Sequence, residues 1–186
     1  MPSPRRREQA LEVYMDTSVL DIVARKRVQT LEALAELVAA NKRNGLVTVF
    51  TNGCFDLLHA GHVRCLFDAR SRGDRLVVAL NSDRSIRTMK GPPLPIYGEE
   101  DRVQLLSALA CVDHVYVFEE QTVDHILAAV KPDIHAKGSD YTEETVPERA
   151  TVLAYGGRIA IVGGAKTHST RDTVRVIQSL RENQRV

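Results

Sequence analysis

No apolar stretch in this 186-residue chain approaches the roughly 18–20 residues that a helix needs to cross a bilayer. The basic start is followed by Glu8, Glu12 and Asp16 rather than by the apolar core of a signal peptide. Net charge is equally scarce: a formal +1 sets up no global field toward nucleic acid or a membrane surface. The one concentrated basic run, Arg5-Arg6-Arg7, sits at a terminus, where a solvated start is a simpler reading than a binding arm. Cysteine is limited to Cys54, Cys65 and Cys111, an odd count without a CxxC pair. That argues against a disulfide framework and for a reducing compartment, so a cytoplasmic protein is expected, with neither nucleic acid nor membrane as partner. The G-x-G-x-x-G dinucleotide fingerprint and the G-x-x-x-x-G-K-[ST] phosphate loop are both missing, which weakens the dehydrogenase and kinase readings. No Ser-His-Asp pattern, internal repeat or low-complexity tract is visible.

What is present describes an ordinary globular domain. Hydrophobic residues make up 44% and charged residues 26%, and the length suffices for one proper core. Residues 1 to about 28 carry no clean period and are rich in Arg, Glu and Gln, which predicts a flexible or loosely helical leader. A domain over 29–186 follows, comprising a leading helix at 29–44 and an α/β core at 46–182. In the helix, Leu31, Leu34, Leu37 and Val38 recur at helical spacing and Gly45 is the stop. Strand-like runs at 46–50, 75–80, 114–118, 134–137 and 158–162 then alternate with helical patterns at 61–72, 99–110, 123–130 and 147–155. Such alternation predicts a single Rossmann-like open parallel sheet of about five strands, with helices on both faces. Ligands of open parallel sheets bind at the carboxyl ends of the strands, near the switch in strand order. The segments after Phe50, Leu80, Lys137 and Val162 are therefore the ones to inspect.

The first of them reads Thr51-Asn52-Gly53-Cys54-Phe55-Asp56-Leu57-Leu58-His59-Ala60-Gly61-His62. Two histidines three apart straddle Gly61 at a predicted helix start. Backbone N–H groups there can face an anion, and the helix dipole adds partial positive charge. Gly61 lacks the Cβ that would block a phosphate. The imidazoles of His59 and His62 can donate to oxygens that gain charge during phosphoryl transfer. A lone H-x-x-H is more often a surface or capping pair; its place between a buried strand and a helix is what favours chemistry. A zinc site made of Cys54, His59, His62 and Cys65 is the competing reading, and it requires Cys65 to leave the predicted helix.

The other segments are weaker singly. Lys90-Gly91-Pro92-Pro93 could clamp phosphate oxygens or simply carry a solvated lysine. Lys137-Gly138-Ser139-Asp140-Tyr141 faces the expected cleft, or is only a strand-ending turn. Lys166-Thr167-His168-Ser169-Thr170-Arg171 gathers hydroxyls at the start of a last helix, where Ser169 alone would be an ordinary N-cap.

Taken together, these residues resemble the cytidylyltransferase-like nucleotidyltransferases, and within them the heptose-1-phosphate adenylyltransferases. The likeness runs from Phe50 through His62, continues in Gly73 to Asp83, Lys90-Gly91, Glu100-Asp101-Arg102, Val112-Asp113, Lys137 to Tyr141 and Ser169-Thr170, and so covers roughly residues 30–182. The resemblance implies that His59 and His62 contact the triphosphate and stabilise the transition state, and that Lys90 binds phosphate between the substrates. Thr51, Asn52, Gly53, Cys54, Phe55 and Gly61 would lie along the nucleotide, with Cys54 and Phe55 acting through their backbone. Arg102, Lys137, Gly138, Asp140, Thr167, Ser169 and Thr170 would complete the pocket, while Asp56 braces the loop. The resemblance also implies a homodimer, and a sugar kinase on a separate polypeptide, since only 45 residues precede Leu46. Three positions depart from the heptose pattern: Leu94 where an arginine is usual, His168, and Arg171 where a second threonine is common. They leave the acceptor sugar open.

The reaction so implied is in-line attack of a sugar-phosphate oxygen on the α-phosphorus of ATP, with Mg²⁺ bridging the triphosphate and no metal ligand from the protein. A CTP-dependent enzyme acting on glycerol 3-phosphate or a related alditol phosphate is the alternative enzyme. A nucleotide-binding regulator without catalysis is the alternative of another class.

Overall fold

The computed structural model describes residues 18–164, with Val174 and Val176 beyond them in helical conformation. Helix α1 (Val19–Lys26) leads into the two-residue strand β1 (Arg27–Val28) and helix α2 (Leu31–Arg43). Then come β2 (Thr48–Gly53), α3 (Ala60–Ser71), β3 (Arg75–Asn81), α4 (Asp83–Lys90), α5 (Glu99–Ala108) and β4 (His114–Phe118). The described chain ends with α6 (Asp124–Val130), β5 (Ile134–Gly138), α7 (Arg149–Ala154) and β6 (Arg158–Val162). All pairings are parallel, in the order β1-β4-β3-β2-β5-β6.

Strand alternation sorts the core into two layers. Leu76, Val78 and Leu80 join Leu66, Ala69, Val103 and Leu106 on the face covered by α3 and α5. Val77 and Ala79 join Leu34, Val38, Ile126 and Leu127 on the face covered by α2 and α6. Both layers are buried, which is why the central strands read as continuous apolar runs. The starts of the two central strands, β2 and β3, are pinned by aspartates from neighbouring turns. Asp74 accepts from Val47 N, Asp113 from Leu76 N and Asp133 from Thr48 N, each at 2.8 Å. Hydrogen bonds to a charged acceptor contribute about 1.5–3 kcal/mol each. They account for the Asp that precedes Arg75, His114 and Ile134.

Two elements depart from the sequence expectation. Residues 19–28, read as the end of a leader, form a capped helix and the sixth, edge strand. Ser18 and Asp21 make a reciprocal capping box there, and Arg27 forms ion pairs with Glu99 and Glu100. Residues 83–90, to which the sequence reading assigns no element, form helix α4, capped by the Ser82 side chain on Ser85 N. Its apolar content is low: Ile86 is its one buried large apolar residue, and Met89 is exposed. Lys90 is therefore the last residue of a helix rather than part of the Gly/Pro loop.

The chain leaves β2 toward β3 and β4, then returns across β2 to β5 and β6. The switch point thus lies between β2 and β5, and the crevice opens over Gly53 and Gly138. Among the described residues, no helix is long and apolar enough to cross a membrane.

Candidate active site

Strand β2 ends at Gly53, and the turn that follows is conformationally demanding. Phe55 and Leu57 both adopt φ of 46°, a left-handed region that costs a non-glycine residue free energy unless its surroundings hold it there. Asp56, between them and 6% exposed, supplies that hold. Its carboxylate accepts from Leu57 N at 3.1 Å, Tyr97 N at 3.0 Å and Ile96 N at 2.9 Å. The bracing role implied for Asp56 thus has a geometry: it locks the turn and anchors the 91–98 loop to it. A Cβ on Gly53 would stand 3.1 Å from the Phe55 ring, so a side chain there would require that ring to shift by a few tenths of an ångström.

The turn delivers His59 to the start of α3 as its N-cap. Nδ1 of His59 accepts from Gly61 N at 3.1 Å and from His62 N at 3.4 Å. The first-turn amides that could have faced a phosphate are therefore engaged by the histidine itself. An Nδ1 that accepts hydrogen bonds carries no proton, so the proton of the His59 ring is on Nε2. The His62 ring stacks on it, with centroids 3.9 Å apart and planes at 20°. The Phe55 ring also packs against His62, tilted, with centroids 5.3 Å apart. Both imidazoles are half-buried and held by neighbours, which suits donors that must be oriented before charge develops.

Arg102 is fully buried. Its Nη1 donates to Cys54 O at 2.8 Å and Asn81 O at 2.7 Å, Nε to Tyr97 O at 3.1 Å, and Nη2 to Asp83 Oδ1 at 2.7 Å. One guanidinium thereby ties together the ends of β2 and β3, the start of α4 and the 91–98 loop. Fully buried and bonded to these four protein groups, it braces the cleft.

Across the switch point, Lys137 is 8% exposed. Its ammonium donates to Asn52 Oδ1 at 3.1 Å and Glu148 Oε1 at 3.2 Å, and lies 5.2 Å from the Tyr141 ring centre. Glu148, 5% exposed, also lies 3.5 Å from Nε2 of the fully buried His135, a long contact. Burial by itself would raise the Glu148 carboxyl, but His135 and Lys137 outweigh it and hold the pKa at about 2. Burial pushes the His135 pKa down, so the ring is neutral near neutral pH.

The other expected residues are placed as follows. Thr51 is buried, Asn52, Gly53, Cys54, Gly61 and Gly138 are half-buried, and Asp140 and Lys90 are exposed. Gly91, after Lys90, has φ of +75°, a value glycine supplies without strain. Thr167, Ser169 and Thr170 lie outside the described residues. The structure thus gathers the β2 turn, the histidines and Asn52–Lys137 at one edge of the sheet, and sets Arg102 below it. Among the described residues, no three His, Cys, Asp or Glu side chains group as metal ligands, the Cys54/His59/His62/Cys65 set included. Sequence reasoning passed over Glu148 and His135: His135 shares a face of β5 with Lys137 at a spacing of two, whereas Glu148 meets both only through the β5–α7 connection, which no local spacing flags.

A family model described as cytidylyltransferase-like matches residues 50–179. The chain belongs to that family. It is a nucleotidyltransferase, and the match spans the histidine turn, the Lys137 strand and β6. Among curated proteins, Bifunctional protein HldE of Pelobacter propionicus is 48% identical over 153 residues, covering 82% of this chain and 31% of that protein. Bifunctional protein HldE of Geobacter sulfurreducens is 46% identical over 151 residues, covering 81% and 31%. This chain therefore spans about a third of the length of the curated relatives it matches. Of solved structures, a lipopolysaccharide core biosynthesis protein from Thermoplasma volcanium superimposes with a TM-score of 0.57 at 30% identity, over 66% of this chain and 100% of that one. A pantoate-beta-alanine ligase from Francisella tularensis shares the fold at 12% identity, with a TM-score of 0.55 over 80% and 72% of the two chains.

Proposed function

We propose that this nucleotidyltransferase moves AMP from ATP to a sugar 1-phosphate, D-glycero-D-manno-heptose 1-phosphate, giving the ADP-sugar and pyrophosphate. The observation that carries the reading is His59, fixed through Nδ1 at the switch point with its proton on Nε2 and His62 stacked beside it. A phosphate oxygen of the acceptor attacks the α-phosphorus. A new P–O bond forms, the α–β bridging P–O bond breaks, and its electron pair leaves with pyrophosphate. The chain needs no nucleophile of its own. It orients the triphosphate and offers N–H donors to oxygens whose charge rises, the larger part of the acceleration in such transfers.

Mg²⁺ enters with the triphosphate as part of the substrate. The protein residues fit that arrangement: the buried carboxylate of the turn, Asp56, is committed to three backbone amides. Heptose as acceptor rests on the residue pattern from Phe50 to His62 and on relatives that are 43–48% identical. A sugar kinase must supply the 1-phosphate, and a homodimer is proposed on the family likeness alone. The test is pyrophosphate release in a matrix of four nucleoside triphosphates against sugar 1-phosphates and alditol phosphates. Turnover with ATP and the heptose 1-phosphate is expected. Preference for CTP and glycerol 3-phosphate would replace the reading with the alditol one, and no release in any pair would leave a regulator.

A further inference from the structure

The buried polar chain on the far side of the switch point has a direction. An ammonium can only donate, so the oxygen of the Asn52 side chain must face Lys137 Nζ, as it does at 3.1 Å. The Asn52 Nδ2 group consequently points away from Lys137. It donates to no described protein group and is not among the buried polar atoms. Asn52 stands one residue before Gly53, at the carboxyl end of the central strand. The second link is equally constrained. Lys137 cannot swing freely, because Glu148 Oε1 takes another of its protons at 3.2 Å and the Tyr141 ring lies over it. Its charge is moreover balanced by Glu148 within a nearly closed site: the two side chains are 9% and 7% exposed. A lysine so neutralised is poorly suited to be a phosphate clamp and well suited to be a support.

We propose that Glu148 and Lys137 are positioning residues that act in series, Glu148 fixing Lys137 and Lys137 turning Asn52, so that the Asn52 amide donates to an oxygen of the bound nucleotide. This rests on the nucleotide reading of the cleft but not on the acceptor or on turnover. Lys137, which the family resemblance places among the residues that complete the nucleotide pocket, does so on this proposal through Asn52.

The test is titration of MgATP without acceptor into the full chain carrying Asn52→Ala, Lys137→Met, Glu148→Ala and each pairing with Asn52→Ala. Each single change is expected to weaken binding about tenfold, while Lys137→Met or Glu148→Ala adds less than twofold once Asn52 is alanine. Losses that multiply would overturn the proposal, because Lys137 would then touch the nucleotide itself. Unchanged affinity in Asn52→Ala or in Glu148→Ala would overturn it too. If Glu148→Ala does not fold, Glu148→Gln keeps the side-chain shape. Its smaller effect must also vanish in the Asn52→Ala background, and its persistence there counts against the series. Tripolyphosphate and adenosine, titrated separately, locate the oxygen. A penalty from Asn52→Ala on the first assigns a phosphate oxygen, on the second a ribose hydroxyl, and on neither refutes the contact. Because binding is read without acceptor, a failure of the heptose assignment leaves this result standing, and the converse also holds.

Discussion

Replacing His59 separates two jobs that its ring performs at once. Nδ1 caps α3 by accepting from Gly61 and His62, and on the function proposed above Nε2 carries the proton offered to the reaction. His59→Ala removes both. Loss of an N-cap side chain costs about 1 kcal/mol, which for a domain of this size lowers Tm by about 2–4 °C. Loss of one oriented transition-state donor lowers kcat by about 10²-fold. His59→Ser and His59→Asn restore an oxygen that can accept from the same amides but supply no donor in the Nε2 position. They should recover most of the lost Tm and none of the lost turnover. The assays are scanning calorimetry and pyrophosphate release at saturating substrates. If the serine variant regains turnover along with its melting temperature, the histidine is a structural cap and the catalytic assignment fails. If His59→Ala melts at the wild-type temperature, the Nδ1 geometry is wrong instead.

Lys90→Ala should reduce kcat more than it weakens ATP binding, with Lys90→Arg rescuing in part, because a planar fork does not reproduce a compact ammonium. Single-turnover kinetics beside nucleotide titration check this, and a pure affinity loss would make Lys90 a ground-state anchor. Arg102→Lys should destabilise by about 3–5 kcal/mol, since it strands the Cys54, Asn81 and Tyr97 carbonyls and a buried Asp83 contact; the urea midpoint reads it, and a shift under 1 kcal/mol would refute the brace. The Glu148 carboxyl, lowered from 4.5 to about 2, contributes stability that is complete above pH about 4.5 and is lost as pH falls through about 2. Glu148→Gln should therefore flatten the stability–pH curve within that window, and an unaltered acid limb would show that the carboxylate is not held by its neighbours.

Much of this was legible because the signals are local. The inner strands announce themselves as apolar runs, three of which, β3, β4 and β5, follow directly on an aspartate, and the H-x-G-H turn stands where a parallel sheet presents its ligands. The parts that were not legible depend on contacts distant in sequence. Helix α4 is eight residues long and mostly polar, with Ile86 its one buried large apolar residue, so no apolar run marks it; the Ser82 cap is its clearest local signal. Helix α1 lacks any buried residue and is held by Lys26 on Leu109 O, 83 positions away, and by Arg27 on Glu99 and Glu100. An Arg102 aimed at nucleotide and an Arg102 bonded to three carbonyls look identical in one dimension.

The same distinction explains why the chemistry can be read from residues when the acceptor cannot. The 91–98 loop is attached to the catalytic turn through backbone groups: Asp56 takes the amides of Ile96 and Tyr97, and Arg102 takes the carbonyl of Tyr97. Any side chain at 96 or 97 can present those groups, and both residues are in fact exposed, at 47% and 41%. Substitution there leaves the anchor intact and costs little stability, whereas Asp56 and Arg102 cannot change without releasing the turn that carries His59. Residue identity is thus tightly constrained where the loop is held and weakly constrained where it faces outward. Leu94, half-buried in the turn closed by its own amide on Gly91 O at 3.3 Å, departs from the heptose pattern inside that permissive stretch. On the function proposed above, its departure bears on the acceptor and leaves the Asp56–Arg102 anchor of the histidine turn as it stands.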